Sequence, residues 1–292
     1  MFKITYSHIR RMKQGDTLIR FSPERSDRVQ LQSLSGSLMP DLIHEYDRGN
    51  NGLISAGSLY EAAVWTGFSE SPAEPAHRDG IETGLPDGRY EFALRDLYGI
   101  VDDWLFQAIM RSSQILYWRR RTRFCGLCGS PAVPGEDDLS MVCTECGETY
   151  YPQIAPAVIV AIRNGNKLLM VRNRKRPKGF YGLVAGFVEA GESLEEAVHR
   201  EVFEETNLRV TNLEYARSQS WPFPNSHMIA FTADYAEGEI EFLDGELVEA
   251  EWFSPEEIPN RMPGFSVGSK LVAEFIRSQG VQSSRDTETP GN

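Results

Sequence analysis

No stretch of this chain is apolar for long enough to cross a bilayer. The longest strongly apolar run, Ile154–Ile162, is interrupted by Pro156 and falls far short of the roughly 20 residues a membrane-spanning helix needs. The first ten residues carry charge but no apolar centre, so they do not read as a secretory signal. The last three, Pro290-Gly291-Asn292, match no retention or peroxisomal address. These absences predict a cytoplasmic location. A basic excess is missing too: 30 Lys and Arg stand against 42 Asp and Glu, a formal net charge of −12. That balance argues for solubility and against a protein that holds nucleic acid by bulk charge, and it leaves local basic patches open. Internal repeats are absent. Apolar residues at 41% and charged residues at 25% exclude global disorder. A length of 292 residues exceeds one comfortable core and predicts two or three domains.

Cysteine is scarce: the chain has four, Cys125, Cys128, Cys143 and Cys146. This excludes a disulfide-stapled miniprotein, but the spacing is informative. Two C-x2-C knuckles can place four thiolates tetrahedrally around one ion, and a Gly after each pair (Gly129, Gly147) permits the tight turn. Zinc is the expected ion, because all-thiolate tetrahedral sites favour zinc or iron. Disulfides or unpaired core thiols are the alternative. Four Cys ligands leave no open position, so this zinc is structural, about one per chain.

The expected fold class is α+β. Residues 1–97 mix short apolar runs with turn clusters such as Asp47–Gly52 and Ser69–Pro86, and read as a strand-rich N-terminal domain. Residues 98–119 read as a linker helix with Ile100, Val101, Trp104, Leu105, Ala108, Ile109, Ile115 and Leu116 on one broad face. The helix leads into Arg119, Arg120, Arg121 and Arg123, which read as a solvated face or, less commonly, as an anion site. A zinc ribbon is expected over 120–152 and a third unit over 153–278. In that unit Ala157–Ile162 reads as a buried strand, Asn164-Gly165 as a hairpin turn, Lys167–Arg172 as its return and Leu183–Phe187 as another short apolar run. Ser193 and Glu196 form a capping-box pattern that opens a helix over 194–206. Strands at 213–220, 227–235 and 248–253 and a helix at 269–278 follow, and the polar tail 279–292 is expected to be disordered.

The helix 194–206 is the chemical centre. Glu201 lies on one face with Glu204 and Glu205, three and four positions on. Like charges at that spacing repel, and a cation offsets the repulsion, since carboxylate oxygens are what hard divalent ions prefer. A charge run alone more often marks a solvated face. Val198 and Val202 are expected to face a core.

From Gly186 the chain runs Gly-Phe-Val-Glu-Ala-Gly-Glu192-Ser-Leu-Glu-Glu-Ala-Val-His-Arg200-Glu201-Val202-Phe-Glu204-Glu205-Thr-Asn207-Leu208. This resembles the Nudix box, G-x5-E-x7-R-E-U-x-E-E-x-G-U, with U aliphatic. Gly186, Glu192, Arg200, Glu201, Val202, Glu204, Glu205 and Leu208 match in register, and Asn207 stands where the family has Gly. Asn is the next best residue for a left-handed helix end, so the fold is little threatened. The resemblance implies an α/β/α sandwich around a mixed sheet. It also implies hydrolysis of a nucleoside diphosphate linked to another group, assisted by Mg2+ or Mn2+. Glu201 and Glu205 match the core metal ligands with Glu204 beside them, and Arg200 and Glu192 match an ion pair that orients them.

Downstream, Ser218-Gln219-Ser220-Trp221-Pro222-Phe223-Pro224-Asn225-Ser226 resembles the S-Q-P-W-P-F-P-x-S signature of NADH pyrophosphatases, with Ser220 in place of the first Pro. Two prolines stiffen a loop; Trp221 and Phe223 offer faces for nicotinamide or adenine, and Gln219 and Ser226 offer hydrogen bonds. In that subfamily a zinc ribbon likewise precedes the Nudix domain and a Tyr-Tyr-Pro segment follows it, here Tyr150-Tyr151-Pro152. Tyr151, Ala185 and Phe187 correspond to substrate contacts. Gly268 falls at a small residue touching adenine, and Asp138 and Arg95 are weaker correspondences. Glu246 aligns with a further metal ligand, and Glu249 is its local competitor. The resemblance covers about residues 95–278. It implies NAD(H) plus water giving NMN(H) plus AMP, removal of NAD caps from RNA 5′ ends, and a homodimer, with Trp104 and the linker as interface candidates. The basic runs Arg119–Arg123 and Arg172–Lys178 could guide RNA, steer the dinucleotide, or only solubilise. Rival readings are a broad diphosphatase acting on ADP-ribose or diadenosine polyphosphates, and a zinc-ribbon nucleic-acid binder with a degenerate Nudix fold.

Overall fold

The computed structural model describes residues 17–21, 28–33, 60–63, 90–98, 103–135, 138–243, 245–259 and 264–280. The turn clusters Asp47–Gly52 and Ser69–Pro86, Ile100, Val101 and the tail from 281 lie outside these. Two compact units are present: Met1–Gln153 with Pro222–Asn225, and Ile154–Trp221 with Ser226–Asn292. Among the described residues no helix is long and apolar enough to cross a membrane.

In the first unit, β1 (Thr17–Phe21), β2 (Arg28–Ser33), β3 (Tyr60–Ala63) and β4 (Tyr90–Ala93) form an antiparallel sheet in the order β3-β1-β2-β4. A short 3-10 turn, Leu94–Leu97, buries Leu94 and Leu97. Helix α1 covers Asp103–Arg121, with Arg119, Arg120 and Arg121 in its last turn, where cations oppose the negative end of the helix dipole. The arginine run is not a uniformly solvated face: Arg119 is only 5% exposed, whereas Arg121 and Arg123 are open to solvent. Next come β5 (Ala132–Pro134), β6 (Met141–Cys143) and β7 (Thr149–Tyr150), a three-stranded antiparallel sheet. Trp118 at the end of α1 packs with Ala132, Met141 and Tyr150 and gives these short strands their small core.

The second unit is a six-stranded mixed sheet. Its strands are β8 (Ala155–Asn164), β9 (Lys167–Asn173), β10 (Val184–Phe187), β11 (Arg209–Trp221), β12 (Ser226–Glu237) and β13 (Leu247–Phe253). They run β11-β12-β8-β9-β13, with β10 also paired to β8. The β12–β8 pair is parallel and the others are antiparallel. Ala157–Ile162 is buried throughout, because both sheet faces are covered. Val158, Val160 and Ile162 face one core with Val198 and Val202 of α2 (Leu194–Thr206). Ile159 and Ala161 face the other with Leu271 and Phe275 of α3 (Val267–Ser278). The strand period of two thus divides one apolar run between two helices, and the result is the expected α/β/α sandwich.

Local chemistry shifts several boundaries. The β8–β9 hairpin pairs Asn164 with Lys167 and places Gly165 (φ 59°) and Asn166 in the loop, with glycine first. This is one residue later than the Asn-Gly reading. β11 begins four residues before the expected position, since its pairing to β12 slips at three points, one of them beside Asn212 (φ 50°). Such bulges break the alternation that reveals a strand. Ser266 caps α3 by accepting from the Ser269 N–H, so the helix starts two residues early.

Candidate active site

Helix α2 is fixed at both ends. Ser193 N–H donates to Glu196 Oε2 (2.7 Å) and Glu196 N–H to Ser193 Oγ (3.2 Å), a reciprocal capping box. At the other end Asn207 adopts φ 59°, ψ 14°, and its N–H reaches Phe203 O at 2.7 Å. Asn therefore performs the left-handed termination for which glycine is usual. Ala197, Val198 and Val202 are fully buried against the sheet, so the helix cannot rotate its carboxylates without exposing that stripe.

Arg200 organises those carboxylates. Its Nε donates to Glu192 Oε1 (2.7 Å) and its Nη2 to Glu192 Oε2 (3.0 Å) and to Phe187 O (2.8 Å). Its Nη1 donates to Glu201 Oε1 (2.8 Å) and Glu204 Oε2 (3.1 Å). One planar fork thus ties the loop, β10 and two helix carboxylates together. The Arg200 hydrogen bonds hold the Glu192 carboxyl below its usual range. Burial pushes the Glu201 carboxyl up, against the lowering pull of Arg200.

Glu201 is seated where β10 lacks a side chain: a Cβ built on Gly186 would overlap the Glu201 carboxylate. Glu205, 7% exposed, turns into the unit, whereas Glu204 is exposed. Together these offer the hard oxygen donors a divalent cation requires, and the space left by Gly186 is shaped to the Glu201 carboxylate. The α2 carboxylates therefore fit such a cation by donor type, with Arg200 bonded to Glu201 and Glu204 as they stand. Glu246 is exposed, one residue before β13. Its competitor Glu249 is committed elsewhere. Glu249 Oε1 accepts from Arg172 Nη2 (2.6 Å) and Oε2 from Tyr181 Oη (2.9 Å), which hold its carboxyl down to about 2. Tyr181, which also reaches Glu251 Oε1 at 3.3 Å, has no local sequence signal.

The substrate-loop residues split between the units. In the second, Gln219 Nε2 donates to Phe265 O (2.9 Å), while Gln219 Oε1 is buried with no hydrogen-bond partner among the described residues. Trp221 stacks on Phe265 with centroids 5.5 Å apart and an interplanar angle of 25°. Ser220 and Trp221 close β11, and Ser226, buried, opens β12. Gly268 is buried in the first turn of α3. Ala185 is half-buried on β10, and Phe187 is 57% exposed at its end. Phe265 was not recognisable from sequence, because it lies just ahead of a helix whose start the apolar pattern placed too late.

In the first unit, Pro222, Phe223, Pro224 and Asn225 form the hairpin tip, with a cis Phe223-Pro224 bond. The Arg95 guanidinium lies 4.3 Å over the Phe223 ring, and Asn225 Nδ2 donates to Gln153 O at 3.4 Å. Asp138 Oδ1 accepts from the Ser140 N–H (2.7 Å), a local turn contact. Tyr151 is 62% exposed.

The four cysteines converge, their Sγ atoms all within 4.8 Å of one another. The Cys125–Cys146, Cys128–Cys143 and Cys128–Cys146 separations are 3.6, 3.4 and 3.6 Å. That is too long for a disulfide, at about 2.05 Å, and close to the roughly 3.8 Å edge of a tetrahedron with ~2.3 Å zinc–sulfur bonds. Gly129 (φ 78°) and Gly147 (φ 75°) close the two knuckles, their N–H groups donating to Cys125 O and Cys143 O. Tyr150 Oη accepts from the Gly126 N–H (3.0 Å) and lies 3.1 Å from Cys125 Sγ, where it lowers that thiol to about 6. The donor set fits a structural zinc.

Comparison with known proteins matches the NUDIX domain to residues 153–275 and the NADH pyrophosphatase zinc ribbon domain to residues 120–151. The NAD-capped RNA hydrolase NudC of Klebsiella pneumoniae subsp. pneumoniae is 44% identical over 175 residues, 60% of this chain and 68% of the relative. That of Edwardsiella ictaluri is 43% identical over 181 residues, 62% of this chain and 70% of the relative. A solved NUDIX hydrolase from Nitrosomonas europaea aligns at a TM-score of 0.45 and 25% identity, over 55% of this chain and 95% of that one.

Proposed function

Because the chain belongs to the Nudix hydrolases of the NudC type, we propose that it cleaves the diphosphate bond of NAD(H), giving NMN(H) and AMP, and that it also removes the NAD cap from RNA 5′ ends. The observation that carries this reading is the Arg200 fork, which joins Glu192, Glu201, Glu204 and the Phe187 carbonyl into one acidic surface. Glu201 and Glu205, with Glu204 and Glu246, would hold Mg2+ or Mn2+. When bound, the cation neutralises diphosphate charge and lowers the pKa of water. The protein's own part is positional. Arg200 aims Glu201 and Glu204, and Gly186 gives the Glu201 carboxylate room. Phe187 offers a flat face to a base, and the open Gln219 Oε1 can accept from a base amino group. In the net reaction water adds to one phosphorus and the bridging oxygen leaves with the other phosphate.

The wider reading has residues 1–97 as an N-terminal domain, 98–119 as linker helix, 120–152 as structural zinc ribbon and 153–278 as the catalytic domain, in a cytoplasmic homodimer. The test compares kcat/KM for NADH, NAD+, ADP-ribose and a diadenosine polyphosphate with Mg2+ and with Mn2+. NADH is expected to lead, and Glu205→Gln is expected to lower its turnover by about 100-fold or more, with folding retained. Preference for ADP-ribose or the diadenosine compound would overturn the substrate assignment, and full activity of Glu205→Gln would overturn the metal assignment.

A further inference from the structure

Between Glu148 and Glu189 the chain has no Asp or Glu, yet seven Lys and Arg stand there, in a protein whose net charge is −12. Most fall in the loop between β9 and β10, and that loop is held in one shape. Val171 and Gly182 exchange backbone hydrogen bonds (2.9 and 2.8 Å) and close its neck. Arg172, at one end, donates to Glu249 (2.6 Å) and to Arg176 O (3.1 Å); Tyr181, at the other, donates to the same Glu249 (2.9 Å). Inside the loop, Asn173 Oδ1 accepts from Lys175 N–H (3.0 Å), Asn173 O from Arg176 N–H (2.9 Å), and Pro177 O from Phe180 N–H (3.1 Å). Arg172 is therefore spent on the latch. Arg174, Lys175, Arg176 and Lys178 are all exposed, and none forms an ion pair with a described residue.

The loop's position gives this charge a use. The Arg174 N–H donates to Glu246 O (2.9 Å), so the loop starts beside one candidate metal ligand. It runs out into β10, where Gly186 meets Glu201. A dinucleotide brings only its diphosphate, whose charge a cation held by the α2 carboxylates would neutralise. Four further exposed cations on a loop whose backbone is held exceed what that substrate needs and suit a longer polyanion.

We propose that the loop Asn173–Phe180 is the binding surface for the phosphates of single-stranded RNA carrying the cap, and that it contributes little to free NAD(H). This rests on the functional reading above. The test replaces the four cations together (Arg174→Gln, Lys175→Gln, Arg176→Gln, Lys178→Gln) in the full chain. The kcat/KM for an NAD-capped RNA decamer is expected to fall about tenfold or more, with NADH turnover within twofold of the parent and a shallower salt dependence by about two to three in log–log slope. The charge-keeping variant Arg174→Lys/Arg176→Lys is expected to retain RNA turnover. Unchanged RNA turnover, or an equal fall on NADH and RNA, would overturn the proposal. Should the parent cleave neither substrate, the functional reading fails. The loop is then judged by fluorescence anisotropy of an uncapped 5′-phosphorylated RNA decamer. Weaker binding with the shallower slope supports the surface, and equal binding overturns it.

Discussion

Gly186 shows what a single residue contributes when its virtue is an absence. Its φ does not lie in the left-handed region where glycine is usually required. What it supplies is space, because a methyl there would overlap the Glu201 carboxylate. The obstacle is the far end of a flexible side chain rather than backbone, so Gly186→Ala is expected to leave the thermal midpoint nearly unchanged while swinging Glu201 away. Loss of alignment of a ligand commonly costs 10- to 100-fold in activity, and a fall of about that size in kcat is the expected readout. A variant with normal kcat would show that Glu201 does not need this seat. Asn207 is the converse case. Its role was legible from sequence, because a left-handed helix end admits few residue types, and the observed φ of 59° is the geometry that argument requires. Gly186 was legible only as a motif position, since a need for room depends on a partner fifteen residues further along a different element.

At the scale of elements, legibility followed periodicity. Helix α2 was readable because its cap, apolar stripe and terminator lie within one short segment. The Arg172–Glu249–Tyr181 latch was not, because its partners are 77 and 68 residues apart and no local pattern links them. The first residues of β11 carry no alternation in the sequence because three register slips interrupt its pairing to β12. The latch makes its own prediction about pH. Glu249 is held at about 2, chiefly by Arg172 and then by Tyr181, against an ordinary value of 4.5. A depressed carboxyl stabilises the fold fully above the unfolded value, and the contribution drains away as pH falls from 4.5 toward 2. Glu249→Gln is therefore expected to be less stable than the parent near pH 7 and to converge with it only as the pH approaches about 2. Urea midpoints of the two proteins across that range check this. A stability gap that stays constant with pH would mean that the Glu249 charge plays no part in the latch.

The whole molecule poses a different problem, because its two units are stabilised by different means. The second has two apolar cores on either side of a six-stranded sheet. The ribbon of the first has strands of two or three residues and a core of Trp118, Ala132 and Met141 with Tyr150 against it. Apolar burial on that scale does not offset the entropy of ordering the segment, so the four thiols must supply the difference by binding an ion, and the binding energy becomes folding energy. The sequence spacing showed where such a site lies, but not that Tyr150 would bridge the ribbon core and Cys125 at once. Metal analysis is expected to find about one zinc per chain. Its removal with a thiol-tolerant chelator is expected to open the segment around Arg119–Arg123 to trypsin within minutes, while the far-ultraviolet signal of the second unit's sheet persists. The same digestion with zinc restored should be slow. Equal cleavage with and without zinc would mean that the ribbon holds itself together without the ion, and the small core around Trp118 would then have to be a better stabiliser than its size implies.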